Sequence, residues 1–206
     1  MRLTDKLNQL KQDGFIRSDR GSGQKKDISD YVRGTVVENS RGSCFSVVRD
    51  YPLEYTHGKY HLGRYLDVPS DVYMLAGKDR TLSRFNPRKA IFLDTETTGL
   101  AGGTGTVPFM IGIGSITGNT FRVEQLFMRD YNEEPAVLEA AARHMREAEY
   151  IVTYNGKAYD CTVLSARFIL NRMKDPCEHL SHLDLVYAAR RVWRKRLVNC
   201  RLATIE

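Results

Sequence analysis

The sequence lacks long apolar runs. No stretch of about 18 uninterrupted apolar residues occurs, so no membrane-spanning helix and no membrane partner are expected. The first residues, MRLTDKLNQLKQDG, contain no apolar signal segment, and a cytoplasmic location is therefore expected. Proline is scarce, at 6 of 206 residues, and 42% of the residues are hydrophobic, which is typical of a folded globular chain rather than a disordered one.

Cysteine is also sparse and widely spaced. The four cysteines form no C-x-x-C pair and no cluster with histidine, so neither a disulfide scaffold nor a zinc site is expected. The thiols are expected to be reduced and mostly buried. The glycine-rich segment AGGTGT at 101–106 is followed by no GK[ST], which excludes a Walker-type nucleotide loop. A weaker role for this segment in holding phosphate stays open.

The charge of the chain is positive but unevenly placed. The net charge is +6, and the first 89 residues hold 17 of the 31 basic and 11 of the 25 acidic residues, which leaves residues 90–206 neutral. That neutral part nevertheless contains a basic run without any acid: Arg190, Arg191, Arg194, Lys195, Arg196 and Arg201. The run could follow a nucleic-acid backbone, with Trp193 as a stacking surface. It could also be the solvated face of a helix whose Val192, Trp193 and Leu197 pack inward, and this interpretation is favoured for Trp193.

The sequence divides into three parts. Residues 1–30 are predicted to form a short amphipathic helix and a polar, glycine-broken linker, and residues 31–89 a mixed extension with a strand and a short helix. Residues 90–206 predict the order β-β-β-α-β-α-β-α, in which two of the first three strands form a hairpin. This order predicts an α/β fold with a mixed five-stranded sheet, three strands antiparallel and two parallel, flanked by helices.

Two acidic residues lie at the end of the first buried strand of this fold. Asp94 and Glu96 are two positions apart, so both side chains leave the same face of an extended chain. Neighbouring anions repel each other, and a divalent cation relieves that repulsion; carboxylate oxygens favour Mg²⁺ or Mn²⁺. A D-x-E triplet is expected by chance about 0.6 times in a chain of this length, so the triplet alone decides nothing. Its place after a buried strand and before a turn at Gly99 favours a site over solvated carboxylates.

A third acidic residue follows the fourth predicted strand, in the segment YNGKAYD at 154–160. Asp160 begins the next helix, and parallel neighbouring strands end at the same edge of a sheet, so Asp160 can reach the site of Asp94 and Glu96. The alternative is a carboxylate at a helix start, stabilised by the helix dipole. Asn155 leaves the strand at the same place, where its side chain could hold either the backbone or a nucleotide sugar.

These segments together resemble a known family. FLDTETTGL at 92–100 is similar to the first motif of the DnaQ-like (DEDD) 3′–5′ exonucleases of the RNase H-like superfamily. YNGKAYD is similar to their second motif, in the longer-spaced form also seen in proofreading domains of family B polymerases. With VEQLFMRD, SHLDL and RRVWRKRL, these motifs most resemble the YprB-type RNase H-like proteins of bacteria. The resemblance covers residues 38–206, which identifies residues 31–89 as a family-type N-terminal extension and residues 90–206 as the RNase H-like exonuclease domain.

The resemblance implies a metal-dependent 3′–5′ exonuclease that hydrolyses phosphodiester bonds of DNA or RNA. Asp94, Glu96 and Asp160 would be its catalytic residues and would bind two Mg²⁺ or Mn²⁺ ions, which activate a water and stabilise the departing oxygen. The residues that the resemblance places near the substrate are Thr95, Thr98, Gly99, Leu100 and Asn155. The implied partner is nucleic acid, as a single strand or a frayed 3′ end.

The family's third motif is not found. It supplies a fourth carboxylate and a nearby His or Tyr base, but no H-x-x-x-D or Y-x-x-x-D follows residue 185. His182 and Asp184 in SHLDL have the wrong spacing and are interpreted as structural or adjacent to the site. A C-terminally incomplete member is therefore expected, with slight or absent catalysis as one outcome. The alternative functions are a non-catalytic nucleic-acid-binding module of the same fold and an interaction protein docked through the basic N-terminal region.

Overall fold

The centre of the fold is a seven-stranded mixed sheet. The computed structural model describes residues 27–99 and 105–205. The strands within these ranges are β1 (Thr35–Asn39), β2 (Gly42–Pro52), β3 (Thr56–His57), β4 (Tyr60–His61), β5 (Ala90–Thr97), β6 (Pro108–Thr117), β7 (Thr120–Phe127), β8 (Tyr150–Thr153) and β9 (Ser181–Asp184). The sheet has the order β1-β2-β7-β6-β5-β8-β9, and β3 and β4 form a separate small hairpin.

Five α-helices accompany these strands in the described ranges. They are α1 (Ser70–Gly77), α2 (Glu134–Glu147), α3 (Asp160–Leu170), α4 (Leu185–Trp193) and α5 (Leu202–Ile205). Short 3₁₀ segments occupy Ile28–Asp30, Leu62–Asp67, Arg80–Arg84, Pro87–Lys89, Tyr131–Glu133 and Pro176–His179. None of these described helices has the length and apolar character that crossing a membrane requires.

The strand and helix order predicted for residues 90–206 is confirmed. β5, β6 and β7 form the antiparallel trio, and the turn between β6 and β7 contains Gly118 at a positive φ of 58°, which glycine adopts most readily. β8 runs parallel to β5, and β9 runs parallel to β8. The α/β class, with a mixed sheet flanked by helices, is therefore confirmed.

The sheet has two more strands than the five predicted, because the N-terminal extension joins it. β2 pairs antiparallel with β7 over Phe45–Pro52, and β1 pairs with β2 in turn. This pairing covers the backbone edge of β7, which a sheet ending there would leave open. Residues 31–89 and 90–206 therefore share one sheet. The predicted N-terminal helix and most of its linker lie outside the described residues.

Two hydrophobic layers cover opposite faces of the sheet. On the helix face, covered by α2 and α3, Leu93 of β5 packs in the same cluster as Phe168 of α3. The other face, called the extension face, is covered by residues 73–85, of which Leu82 belongs to one cluster with Val152 of β8. Successive residues of a strand point to opposite faces, so the side chains of β5 point alternately to the helix face and to the extension face.

β5 extends beyond its parallel neighbour. β8 pairs only with Ala90–Phe92, whereas β6 pairs along nearly the whole of β5. The remaining part of β5 therefore has a described strand on one side only. On its other side lie the turn after β8 and the first turn of α3, which contact β5 through side chains. This gap beside the end of β5 is where the predicted site residues gather.

The structure of the basic run differs from the favoured interpretation, in which Val192, Trp193 and Leu197 pack inward from one helix. α4 ends at Trp193, four residues before Leu197, which the favoured interpretation placed on the same helix. Val192 is 52% exposed and Trp193 is 37% exposed, so Val192 does not pack inward and Trp193 does so only in part. Leu197 is partly buried. After Trp193 the backbone continues in turns, in which the Trp193 carbonyl accepts hydrogen bonds from the backbone of residues 196 and 197.

The cysteines are free, as expected. Cys44 is buried, but Cys161, Cys177 and Cys200 are partly exposed, which corrects the expectation that most thiols are buried. Cys161 and Cys177 lie at the margin of the core on the helix face, where packing is incomplete. A hydrogen bond between them lowers the pKa of the Cys161 thiol and raises the pKa of Cys177.

Candidate active site

The end of β5 presents three polar side chains to different surroundings. Asp94, Thr95 and Glu96 keep a regular antiparallel register with β6, so their side chains alternate between the two faces. Thr95 is buried on the helix face, whereas Asp94 is exposed and Glu96 half-buried on the extension face. Gly112 lies opposite Asp94 on β6 and has no side chain to cover it. The two carboxylates therefore share one accessible face.

Asp160 reaches β5 through Thr95. The Thr95 hydroxyl donates a hydrogen bond of 2.6 Å to Asp160 Oδ1, and both side chains are buried. Asp160 is the first residue of α3, which begins in the gap beside the end of β5. The second sequence motif is thus held against the central residue of the D-x-E triplet, 65 positions earlier in the chain.

The structure brings Asp160 to the strand that carries Asp94 and Glu96, but not to the face they share. Its partner, Thr95, points to the helix face, and the D-x-E carboxylates point to the extension face. Among residues 27–99 and 105–205, no three His, Cys, Asp or Glu side chains are grouped closely enough to hold a metal ion. The three carboxylates line one short segment of β5 from two sides rather than forming a closed cluster.

Burial makes ionisation of the Asp160 carboxyl group unfavourable. Loss of solvent raises the pKa of Asp160 above its ordinary value of 3.8; the hydrogen bond from Thr95 acts against that rise, and the nearby charge of Asp184 adds to it. A cation beside Asp160 would offset this cost. Carboxylate oxygens such as those of Asp94, Glu96 and Asp160 are the donor type that Mg²⁺ and Mn²⁺ prefer, although the three are not gathered into one cluster.

Asp160→Asn is expected to stabilise the metal-free protein at neutral pH. The pKa of Asp160 is higher in the folded state than its unfolded value of 3.8, so folding favours the protonated carboxyl and stability is lost as the pH rises through the folded pKa. The amide carries no charge, and the advantage of the variant should therefore be small below about pH 4 and grow toward about pH 7.

Urea unfolding in EDTA across that pH range measures the effect. Asp67→Asn, at an exposed carboxylate, is the control and should show little change. An Asp160→Asn protein that is less stable than the parent at every pH would contradict the expectation.

Tyr159 ties the start of α3 to the turn after β5. Its hydroxyl donates to the carbonyl of Gly99 at 3.0 Å and lies 3.1 Å from the Thr97 hydroxyl. The Thr98 hydroxyl accepts a hydrogen bond from the backbone N–H of Val107, which closes the base of the following loop. Sequence reasoning missed Tyr159, although its place directly before Asp160 was a signal. Leu100 and most of the AGGTGT segment, both predicted near substrate or phosphate, lie outside the described residues.

Asp184 organises the turn that leads to Asp160. Its carboxylate is 2% exposed and accepts three backbone N–H groups, from Asn155 at 2.7 Å, Lys157 at 3.0 Å and Val186 at 3.1 Å. The last of these caps the N-terminus of α4. His182 lies 2.8 Å from the Thr153 hydroxyl through its Nε2. These contacts support the interpretation of His182 and Asp184 as structural residues adjacent to the site.

The backbone conformation of the YNGKAYD turn favours asparagine at position 155 and requires glycine at position 156. Asn155 has a positive φ of 68°, a conformation that asparagine tolerates better than most side chains. A Cβ at Gly156 would lie 2.6 Å from atoms of the Thr153 side chain, so only glycine fits there. The turn can thus bring α3 directly back toward β5. Both residues are needed to place Asp160, whatever the Asn155 side chain binds.

This topology and site define an RNase H-like protein. Within residues 90–206, the first strand of an antiparallel trio carries D-x-E near its end, and its parallel neighbour leads to a helix-start aspartate. The family model of the RNase_H superfamily matches residues 91–206, more than half of the chain. The chain belongs to the RNase H superfamily.

A bacterial relative agrees with the resemblance seen in the motifs. Over 160 residues the chain is 32% identical to the uncharacterized protein YprB of Bacillus subtilis (strain 168). This similarity covers 76% of the chain and 38% of YprB, so the chain spans well under half the length of that relative. A solved structure of exonuclease I matches with a TM-score of 0.41 and 17% identity, covering 56% of this chain and 34% of that one.

Proposed function

We propose that the protein is a metal-dependent nuclease that removes nucleotides from the 3′ end of DNA or RNA. The hydrogen bond between Thr95 and Asp160 carries the proposal, because it holds the acidic residues of two distant motifs at one segment of β5. Membership of the RNase H superfamily supports the same chemistry. The assignment of the 3′ end rests on the resemblance of the two motifs to DnaQ-like exonucleases.

Asp94, Glu96 and Asp160 would hold the divalent cations. A cation bound there polarises the scissile phosphodiester and favours ionisation of the attacking water. Asp94 and Glu96 supply accessible oxygens on the extension face, while Thr95 keeps the Asp160 carboxylate oriented toward β5. The cost of ionising buried Asp160 means that its carboxylate would gain more from a cation than an exposed carboxylate does.

The turn after β5 would receive the terminal nucleotide. Thr98 and Gly99 lie there, and Tyr159 fixes the Gly99 carbonyl from the α3 side. Thr95 would act through Asp160 rather than on the substrate, because it is buried and already bonded. Asn155 would contact the nucleic acid from the turn that leads into α3.

A strand labelled at one end tests the proposal. Single-stranded DNA and RNA oligonucleotides carrying a 3′ label are incubated with Mg²⁺, with Mn²⁺ or with EDTA. The expected result is early release of a labelled mononucleotide with either metal and none with EDTA. The same strands with a 5′ label should shorten step by step from the opposite end.

Other products would refute parts of this proposal. Labelled mononucleotide released first from the 5′ label would overturn the polarity, and internal fragments would overturn the exonuclease assignment. Tight binding that persists in EDTA, with no cleavage under any condition, would identify the protein as a non-catalytic nucleic-acid-binding module.

A further inference from the structure

We propose that a groove beside the turn at Tyr154 and Asn155 binds the phosphate backbone of a single nucleic-acid strand and leads it toward Asp160. This inference rests on the proposed function and names the path by which the substrate arrives. The groove has a volume of about 260 Å³. The Tyr154–Asn155 turn forms one wall, and Arg190 and Arg201 contribute the charge of the other.

The two arginine side chains of the groove are not paired with any acidic side chain of the described residues. The side chains of Arg190 and Arg201 are exposed, and neither forms a hydrogen bond or an ion pair with another described residue. By contrast, Arg122 is paired with Asp50 and Arg167 with Glu134. No acid lies in the sequence between Asp184 and Glu206. Unpaired guanidinium groups are suited to phosphate, which they bind with two parallel hydrogen bonds.

The basic character continues beyond the groove. Arg194, Lys195 and Arg196 follow Arg190 directly after α4, and their side chains also form no hydrogen bond or ion pair with the rest of the described chain. Arg191 differs, since its guanidinium donates to the carbonyl of Ala76 at the end of α1. Several unpaired basic side chains in a row are better suited to binding the successive phosphates of a nucleic-acid backbone than to binding an isolated anion.

The groove is fixed in place from both sides. The Tyr154 hydroxyl donates a hydrogen bond of 2.6 Å to the carbonyl of Cys200, which holds the segment containing Arg201 against the turn. Asp184 joins the backbone of Asn155 to the N-terminus of α4. Both walls are therefore held without a ligand, and binding requires little reorganisation.

The position of the groove connects it with the candidate active site. Asn155 lines the groove, and the short turn that follows ends at Asp160, whose carboxylate meets Thr95 on β5. The proposed activity acts on a single-stranded 3′ end, so the occupant proposed for the groove is one sugar–phosphate chain. A strand with its terminal nucleotide beside β5 would place an internal phosphate between Arg190 and Arg201.

Binding in EDTA tests the groove separately from catalysis. The probe is a fluorescein-labelled 12-nucleotide single strand of DNA, and its dissociation constant is measured by anisotropy at several salt concentrations. The Arg190→Ala and Arg201→Ala double variant should bind at least about tenfold more weakly at low salt, and its slope of log affinity against log salt should fall by about 1.4, or about 0.7 for each lost contact. The Arg143→Ala and Lys174→Ala double variant removes the same charge from exposed positions outside the groove and should match the parent.

The outcomes separate this inference from the proposed function. An unchanged salt slope in the groove variant, with an unchanged melting temperature, overturns the groove even if the parent protein cleaves DNA. A reduced slope supports the groove even if no condition gives cleavage, in which case only the nuclease proposal fails. Polyglutamate that competes as well as single-stranded DNA at equal charge would overturn the nucleic-acid assignment in favour of an acidic protein.

Discussion

Asp94→Asn lowers the turnover number of metal-dependent hydrolysis by about a thousandfold, which corresponds to about 4 kcal/mol of lost transition-state stabilisation. The amide keeps the shape of the side chain but removes the charge that a divalent cation requires. Asp94 is exposed at the end of β5, so the same change should alter the free energy of unfolding by less than about 1 kcal/mol. A large loss of activity with a small change in stability is the signature of a residue that acts in the chemistry.

Release of 3′-labelled mononucleotide at saturating Mn²⁺ measures the effect, and urea unfolding of the same preparations measures stability. Asp67→Asn is the matched control, because it removes one exposed carboxylate from the extension and should retain full activity. An Asp94→Asn protein with at least half of the parental turnover number would remove Asp94 from the catalytic machinery.

Asp184→Ala destabilises the fold by about 4 kcal/mol, because three backbone N–H groups, one buried and two partly buried, lose their acceptor at about 1–3 kcal/mol each. The donors belong to Asn155, Lys157 and Val186, so both the turn before α3 and the start of α4 loosen together. Asp160 begins the helix that follows this turn, and activity should fall along with stability.

Chemical denaturation of the parent and variant proteins measures the loss. Asp79→Ala is the matched control: Asp79 also caps a helical segment, accepting from the backbone N–H of Thr81, but its surroundings are exposed. Its removal should cost only about 1 kcal/mol. Equal losses in the two variants would show that Asp184 is an ordinary cap rather than the organiser of the turn.

The strands and helices of residues 90–206 could be predicted because their signals are local. A buried apolar run identifies β5, and the turn at Gly118 separates β6 from β7, whose sequence has alternating character. Of the two extra strands, β1 gave no comparable signal, and the strand predicted at β2 carried no sign of its place in the sheet. β2 pairs with β7 at sequence separations from 68 residues (Pro52 and Thr120) to 82 residues (Phe45 and Phe127), and nothing within β2 specifies that partner. Local patterns therefore predicted a strand in the extension but not the sheet it joins.

The candidate site was predictable in part for the same reason. The D-x-E spacing places Asp94 and Glu96 on one face of any regular strand, and the motif resemblance points to Asp160. The spacing does not reveal that Asp160 meets Thr95 from the opposite face, since that depends on the left-handed turn at Asn155. The role of Asp184 also depends on three backbone groups brought together by the fold, which no sequence pattern encodes.

Mn²⁺ binding tests the central claim that Asp94, Glu96 and Asp160 serve one metal-dependent site. Electron paramagnetic resonance counts free Mn²⁺ during titration of the metal-free protein, without any dependence on activity. The account predicts that Asp94→Asn and Asp160→Asn each weaken Mn²⁺ binding by at least about tenfold, although Asp160→Asn stabilises the metal-free fold. Parental Mn²⁺ affinity in the Asp160→Asn protein would contradict it, because Asp160 would then be a buried structural carboxyl and not a ligand.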